Sequence, residues 1–212
     1  GIGHSFGGIL FIGAPNVERL ALLVMLGPHT GYFGDYRRAF ELLSSHFEHV
    51  VSVSVTGRLS GTLQAAQSAS TRVSRPGQVS VVDSRNLSVG MGLIVLHAAE
   101  QARAGKPVAD VVAAVEHAAG RTRTYGAVPD LSYAVRGGRI PQPWRWLAGL
   151  LPLGFLLSID QGSGIRIRGM VRRGGDRVSA LVRLATQDRL LKGDSGRVRL
   201  AIAHANAPEL AA

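Results

Sequence analysis

Two stretches of the chain bring together residue types that could do chemistry. The first is Thr56-Gly57-Arg58-Leu59-Ser60-Gly61-Thr62, where a β-branched run gives way to a glycine-broken loop and a helix-prone segment begins. Hydroxyls at Ser60 and Thr62 flank Gly61, which lets a ligand approach the backbone closely, and the N–H groups of a first helical turn lack intrahelical acceptors. Such a corner suits a carboxylate or a phosphate. The same residues also satisfy a plain Ser or Thr helix cap. The second stretch, Gly3-His4-Ser5-Phe6-Gly7, fits the G-x-S-x-G pattern of a nucleophile elbow, in which a strained strand-to-helix turn exposes a serine hydroxyl to a later acid and histidine. Here no strand precedes the serine, and Ile9-Leu10-Phe11-Ile12 carries no distinct helix signal. Nothing hydrolase-like surrounds Asp83, Asp130 or His204, so an esterase-like α/β-hydrolase using Ser5 stands as the alternative function.

Other chemistries are excluded by type and spacing. There is no cysteine, which removes disulfides, thiolate nucleophiles and Cys-ligated zinc, and agrees with a reducing compartment; cytoplasm is the expected location. The seven histidines form no His-x-x-x-His pair on a helix and have no carboxylate at ligand spacing, so no metal is expected. Neither a P-loop nor a Gly-x-Gly-x-x-Gly turn after a strand is present, and no cofactor is expected.

The elements that must position the loop follow from periodicity. Residues 33 to 47 place Tyr36, Ala39, Phe40, Leu43 and Phe47 at helical spacing, with Arg37, Arg38 and Glu41 outward. Val50 to Val55 reads as a strand, Thr62 to Thr71 as a helix and Val79 to Asp83 as a second strand, making a βαβ unit. Val89 to Ala104, stopped by Gly105, and Pro107 to Ala119, followed by Gly120, are helices, and Tyr125 to Val128 is the next strand. This alternation predicts an α/β fold with a parallel sheet and helices on both faces. Later, Phe155 to Asp160 and Ile165 to Val171 read as hairpin strands, Arg177 to Leu191 as a helix and Arg197 to Ala203 as a strand, the parts of an incomplete second α/β domain. The break Arg136-Gly137-Gly138-Arg139 marks the boundary.

Composition bounds the partners. With 46% hydrophobic and 18% charged residues the chain can bury a sizeable core. The net charge of +10 is carried by 22 Arg against 2 Lys, and all of it lies between Arg121 and Arg199, where 15 basic residues face 5 acidic ones. A basic half fits nucleic acid, an anionic membrane surface or an acidic protein, or coding bias on an ordinary solvent face. The aromatic residues do not interleave with the arginines as a stacking platform requires, so nucleic acid is not expected. The longest apolar stretch, Leu147 to Ile159, holds Pro152 and Gly154 and falls short of the roughly 20 residues that span a bilayer, so no integral membrane segment is expected. The start Gly1-Ile2-Gly3-His4 has neither an initiating Met nor a basic leader, and reads as a cut N-terminus.

Four motifs in order give the chain a family likeness. Leu59-Ser60-Gly61-Thr62, then Val82-Asp83-Ser84 with Ser88-Val89-Gly90-Met91-Gly92, then Arg136-Gly137-Gly138-Arg139-Ile140, and last Ile202-Ala203-His204-Ala205-Asn206 resemble the DegV family of fatty-acid-binding proteins across about residues 34 to 210. The resemblance implies a non-enzymatic carrier that buries one long acyl chain, such as palmitate, in an apolar tunnel and holds its carboxylate at the mouth. It implies that Ser60, Gly61 and Thr62 bind the carboxylate with His204, and that Arg139 lies at the rim, where a dihydroxyacetone-kinase-like fatty acid kinase phosphorylates the bound acid. Leu63, Met91, Leu93, Ile94, Leu147, Leu150, Leu151 and Phe155 are plausible tunnel walls, though residues of these types are more often ordinary core.

Departures from the family pattern are also visible. Its opening Asp-Ser loop is absent, and its Thr-Ser-x-Pro loop falls near Pro28-His29-Thr30-Gly31, which leaves Thr30 as the candidate hydroxyl. The family pattern continues beyond Glu209, so the chain reads as a fragment. The expected organisation is therefore an atypical hydrolase-like segment at 1–36, a DegV-like N-terminal α/β domain at 37–135 without its first strand, and a partial C-terminal domain at 136–212.

Overall fold

A computed structural model of the chain describes residues 9–13, 20–25, 33–140, 153–160, 164–172, 175–188 and 198–203. It divides into two compact units, Gly1–Thr122 and Arg123–Ala212.

The first unit is built on a four-stranded sheet in sequence order, β1 (Ile9–Gly13), β2 (Leu20–Met25), β3 (His49–Ser54) and β4 (Val79–Asp83). β2, β3 and β4 run parallel, and β1 lies antiparallel on the edge. Both of the first strands come from the segment that resembles a hydrolase, and they extend the same sheet that carries β3 and β4.

Helix α1 (Phe33–His46) buries Tyr36 and Phe40 one turn apart, their ring centroids 5.5 Å from each other. With α2 (Thr62–Ser70) it covers one face of the sheet around Val50, Ala66 and Ala69. Helices α3 (Ser88–Arg103) and α4 (Val108–Arg121) cover the other, where Met91, Ile94, Val95, Val111 and Val115 pack on Val51, Val53 and Val82. β3 is thus buried on both sides, which is why its sequence is an almost unbroken β-branched run. Gly105, at φ +73°, closes the α3 end in the left-handed conformation that glycine adopts at little cost. Gly120 does not end α4 as expected. It sits inside the last turn, and the extended Thr122 ends the helix instead.

The second unit has a three-stranded antiparallel sheet of β5 (Arg123–Val128), β6 (Leu153–Asp160) and β7 (Ile165–Arg172), with helices α5 (Ser132–Arg136) and α6 (Arg177–Thr186). Its core gathers Leu131, Val135, Ile140 and Phe155. Asp176 caps α6 by accepting the Ser179 N–H at 2.9 Å, and the side-chain and backbone hydrogen bonds from Ser179 hold its carboxyl below the usual range.

The strand around Tyr125 to Val128 does not continue the parallel sheet: it pairs antiparallel with β6, because cross-strand partners that α/β alternation cannot foresee lie some thirty residues later. The helix expected to reach Leu191 is described only to Thr186. Residues 198–203 form no strand among the described residues, since an extended segment becomes a strand only when an edge is there to pair with it. The units meet at Thr122 and Arg123, ahead of the break at Arg136 to Arg139. No described helix is long and apolar enough to cross a membrane.

Candidate functional site

The first sheet has a switch point. β3 continues into α2, which packs with α1 on one face, whereas β4 continues into α3 on the opposite face. Two adjacent parallel strands therefore send their chains to opposite sides, the switch-point topology for which the ligand crevice of an open α/β sheet is expected outside the loops at the carboxyl ends.

One wall is the β3–α2 loop. Thr56 is fully buried and donates its N–H to Asn86 O at 3.0 Å, while its carbonyl accepts the Leu59 N–H at 3.1 Å. At Gly57 a β-carbon would come within 2.8 Å of Leu63 Cδ2, so any larger residue makes the Leu63 side chain shift. Gly61 is different. Its backbone, at φ −70° and ψ 1°, suits any residue, and a β-carbon would meet nothing within 4 Å. Neither a left-handed backbone nor packing requires glycine at this position; it serves as the N-cap of α2 and also leaves the backbone open to close approach.

Ser60 Oγ and Thr62 Oγ1 lie 2.6 Å apart, and the Thr62 N–H donates to Ser60 Oγ at 3.3 Å. Gly61, not a hydroxyl residue, holds the N-cap of α2, and no side chain caps the helix. The plain Ser or Thr cap is therefore not what this loop builds. The N–H groups of Leu63 and Gln64 belong to a first turn, which has no intrahelical acceptor to offer them, and the helix adds its positive end to theirs. Two hydroxyls, a bare glycine and a helix start make an acceptor-seeking corner at the sheet's switch point.

The other wall is the β4–α3 loop, whose detail was not foreseen. Asp83 accepts the Arg85 N–H at 2.7 Å and the Gly57 N–H at 3.4 Å, tying the two loops together. Ser84 and Asn86 are fully buried. Arg85 and Ser88 stand at φ 52° and 51°, the left-handed region that costs a non-glycine residue about 1–2 kcal/mol. The sequence clue was Asp83-Ser84-Arg85-Asn86 after a strand, a run of turn formers whose side chains bond their own backbone.

Of the expected site residues, the fold brings Ser60, Gly61 and Thr62 together. Arg139 belongs to the second unit, exposed after α5, where its guanidinium donates to Gly137 O. Nearby, Arg136 stacks 4.9 Å over the Tyr133 ring. Thr30, His204 and Ser5 lie outside the described residues, as do Leu147, Leu150 and Leu151. After Ser5 the chain forms strand β1, where a nucleophile elbow needs a helix. Met91 and Ile94, offered as tunnel walls, pack into the sheet core with Val51 and Val53.

An open cleft of about 490 Å³ lies at the amino ends of the strands, lined by Ser44, His46, Glu48, Arg75 and Gln78 among others. Two buried oxygens there, Ser44 Oγ and Gln78 Oε1, make no hydrogen bond among the described residues. The shifted titrations also lie away from the corner. Partial burial lowers His49, at the start of β3, and burial raises the Tyr36 phenol. The Ser54 hydroxyl is near enough to oppose the Tyr36 shift without making a hydrogen bond of good geometry. Among the described residues no three His, Asp or Glu side chains cluster as a metal site would require.

Comparison with known proteins gives this geometry a context. The sequence model of the family described as "Uncharacterised protein, DegV family" matches residues 32–212. A DegV domain-containing protein of Deinococcus radiodurans is 31% identical over 156 residues, which cover 72% of this chain and 55% of that one. The DegV family protein of Thermus thermophilus, solved as a fatty-acid-binding protein, is 30% identical with a TM-score of 0.63, over 73% of this chain and 54% of that one. The fatty acid kinase (Fak) B3 protein of Streptococcus pneumoniae, solved with linoleic acid, shares the fold at a TM-score of 0.64 and 23% identity, over 76% and 56%. The chain spans about half the length of the curated relatives it matches.

Proposed function

The chain belongs to the DegV family, and from that premise we propose that it binds one long-chain fatty acid, of the palmitate class, with the carboxylate held at Ser60, Gly61 and Thr62. The observation that carries the reading is the corner itself: paired hydroxyls 2.6 Å apart, a glycine that packing does not require, and a helix start whose N-cap residue offers no side chain, at the sheet's switch point. A carboxylate there takes N–H and O–H donors and sits at the positive end of α2. The acyl chain supplies the affinity. At about 0.8 kcal/mol per buried methylene, a chain of roughly 16 carbons gives more than association costs, so the polar corner sets orientation.

In the same reading Thr30 and His204 add polar contacts to the head group, and Arg139 lies at the rim where a dihydroxyacetone-kinase-like fatty acid kinase meets the bound acid. The carrier performs no covalent step; the kinase forms the acyl phosphate. The protein works in the cytoplasm and needs no metal or cofactor. The fatty acid bound by the Thermus relative supports the ligand class. Mass spectrometry of lipid extracted from the purified protein tests the proposal: a stoichiometric fatty acid is expected. A protein that emerges empty and also fails to bind added palmitate or oleate overturns it.

A further inference from the structure

One fully buried side chain at the switch point has no part in binding the head group as proposed. The Asn86 carbonyl accepts the Thr56 N–H at 3.0 Å and the Ser84 hydroxyl at 3.1 Å, and the Asn86 N–H donates to Ser84 Oγ at 3.2 Å. Its amide Nδ2 lies 3.4 Å from both Ser84 O and Thr122 O, so it can donate to the residue that follows α4. The Asn86 backbone thus pairs with Thr56 after β3 and with Ser84 after β4, while its side chain reaches Thr122 after α4. Thr56 leads directly into the loop that carries Ser60, Gly61 and Thr62. On either side of Asn86, Arg85 and Ser88 occupy left-handed backbone, which persists only where surrounding contacts hold it.

We infer that Asn86 is a positioning residue: its buried side-chain amide latches the β4–α3 loop to the end of α4, and that anchorage places the Asn86 backbone carbonyl where it holds the Thr56 N–H at the start of the loop that presents the head-group corner. A buried amide suits this role because it meets backbone carbonyls on two sides at once. The link to ligand binding rests on the fatty-acid reading; the latch itself rests on the hydrogen bonds alone.

Hydrogen exchange on the full chain tests the latch without ligand. Asn86→Ala keeps the backbone carbonyl that pairs with the Thr56 N–H and removes only the side-chain anchor to Thr122, so the Thr56 and Gly57 amides should exchange about tenfold faster as the loop loosens, while the Val51 to Val53 amides keep their rates. Ser84→Ala, a milder cut in the same network, should produce a smaller rise at the same amides, and it decides the matter if Asn86→Ala does not fold. Unchanged loop amides, or core amides that accelerate equally, overturn the latch. The functional arm compares palmitate with hexadecanol, which shares the tail and lacks the charge. Asn86→Ala should lower the palmitate-to-hexadecanol affinity ratio about tenfold, as loss of one charge-assisted bond would. A loosened loop with an unchanged ratio overturns the positioning role. A wild-type chain that binds no palmitate defeats the fatty-acid reading, and the exchange data still judge the latch.

Discussion

Replacing Gly61 by alanine separates the fold's need for this residue from a ligand's. For stability two small effects oppose each other. Alanine restricts the unfolded chain, which favours folding by about 0.4–1 kcal/mol where the native backbone suits it, and φ −70° with ψ 1° does. Alanine is also a poorer N-cap than glycine, at a cost of about 0.5 kcal/mol. Because the added methyl meets nothing within 4 Å, no steric cost tips the balance, and the melting temperature should move by no more than a few degrees. Binding should behave otherwise. A carboxylate seated against the first turn of α2 would meet the methyl and withdraw from at least one donor. A hydrogen bond to a charged group is worth about 1.5–3 kcal/mol, so palmitate should bind roughly 10- to 100-fold more weakly. Competition against a fluorescent fatty acid, with thermal unfolding run on the same preparations, reads both quantities. Palmitate affinity within twofold of wild type would refute the placement of the carboxylate at Gly61. A large drop in melting temperature would refute the claim that the fold leaves this position free.

Three further outcomes are expected. Ser60→Ala removes one hydroxyl and the acceptor of the Thr62 N–H, and calorimetric titration should show palmitate binding weakened about tenfold with hexadecanol little changed. Gly57→Ala puts a methyl 2.8 Å from Leu63 Cδ2, and urea unfolding should show a loss of about 1 kcal/mol, as overpacking gives. Third, His49, whose Nε2 lies 2.9 Å from Ser80 Oγ, is held below its ordinary pKa by partial burial, so the unfolded chain takes up its proton first. Its contribution is complete above about pH 6.5 and fades as pH falls through that value towards the folded pKa. His49→Gln should therefore flatten the wild-type decline in denaturant midpoint between neutral and mildly acidic pH; equal slopes in the two proteins would count against the assignment.

Much of the first unit was legible because its signals are local. α1 shows its buried stripe through Tyr36 and Phe40, β3 through its valines, and Gly105 announces the end of α3. The Ser60-Gly61-Thr62 corner was legible as well, since a strand running into a glycine and a helix start is a pattern of neighbours in sequence. What escaped depended on partners far along the chain. Tyr125 and its neighbours read as one more parallel strand, but β6 pairs with them antiparallel. Ile9 to Gly13 and Leu20 to Met25 lay in a stretch that resembles another fold, yet they pair into the sheet of β3 and β4.

By itself the sequence determined the elements of the first unit, the four motifs of the family and the hydroxyl corner. These follow from side-chain periodicity, capping and turn chemistry over a few residues. Tertiary structure alone decided that α2 and α3 leave adjacent strands on opposite faces, which puts the corner at the sheet's switch point. It alone joined Asn86 to Thr56, Ser84 and Thr122, and it alone revealed that Gly57 is held by packing while Gly61 is not. The reason is physical. A glycine reads the same in the sequence whether its missing side chain makes room for a leucine or for a ligand, and only the surrounding atoms distinguish the two.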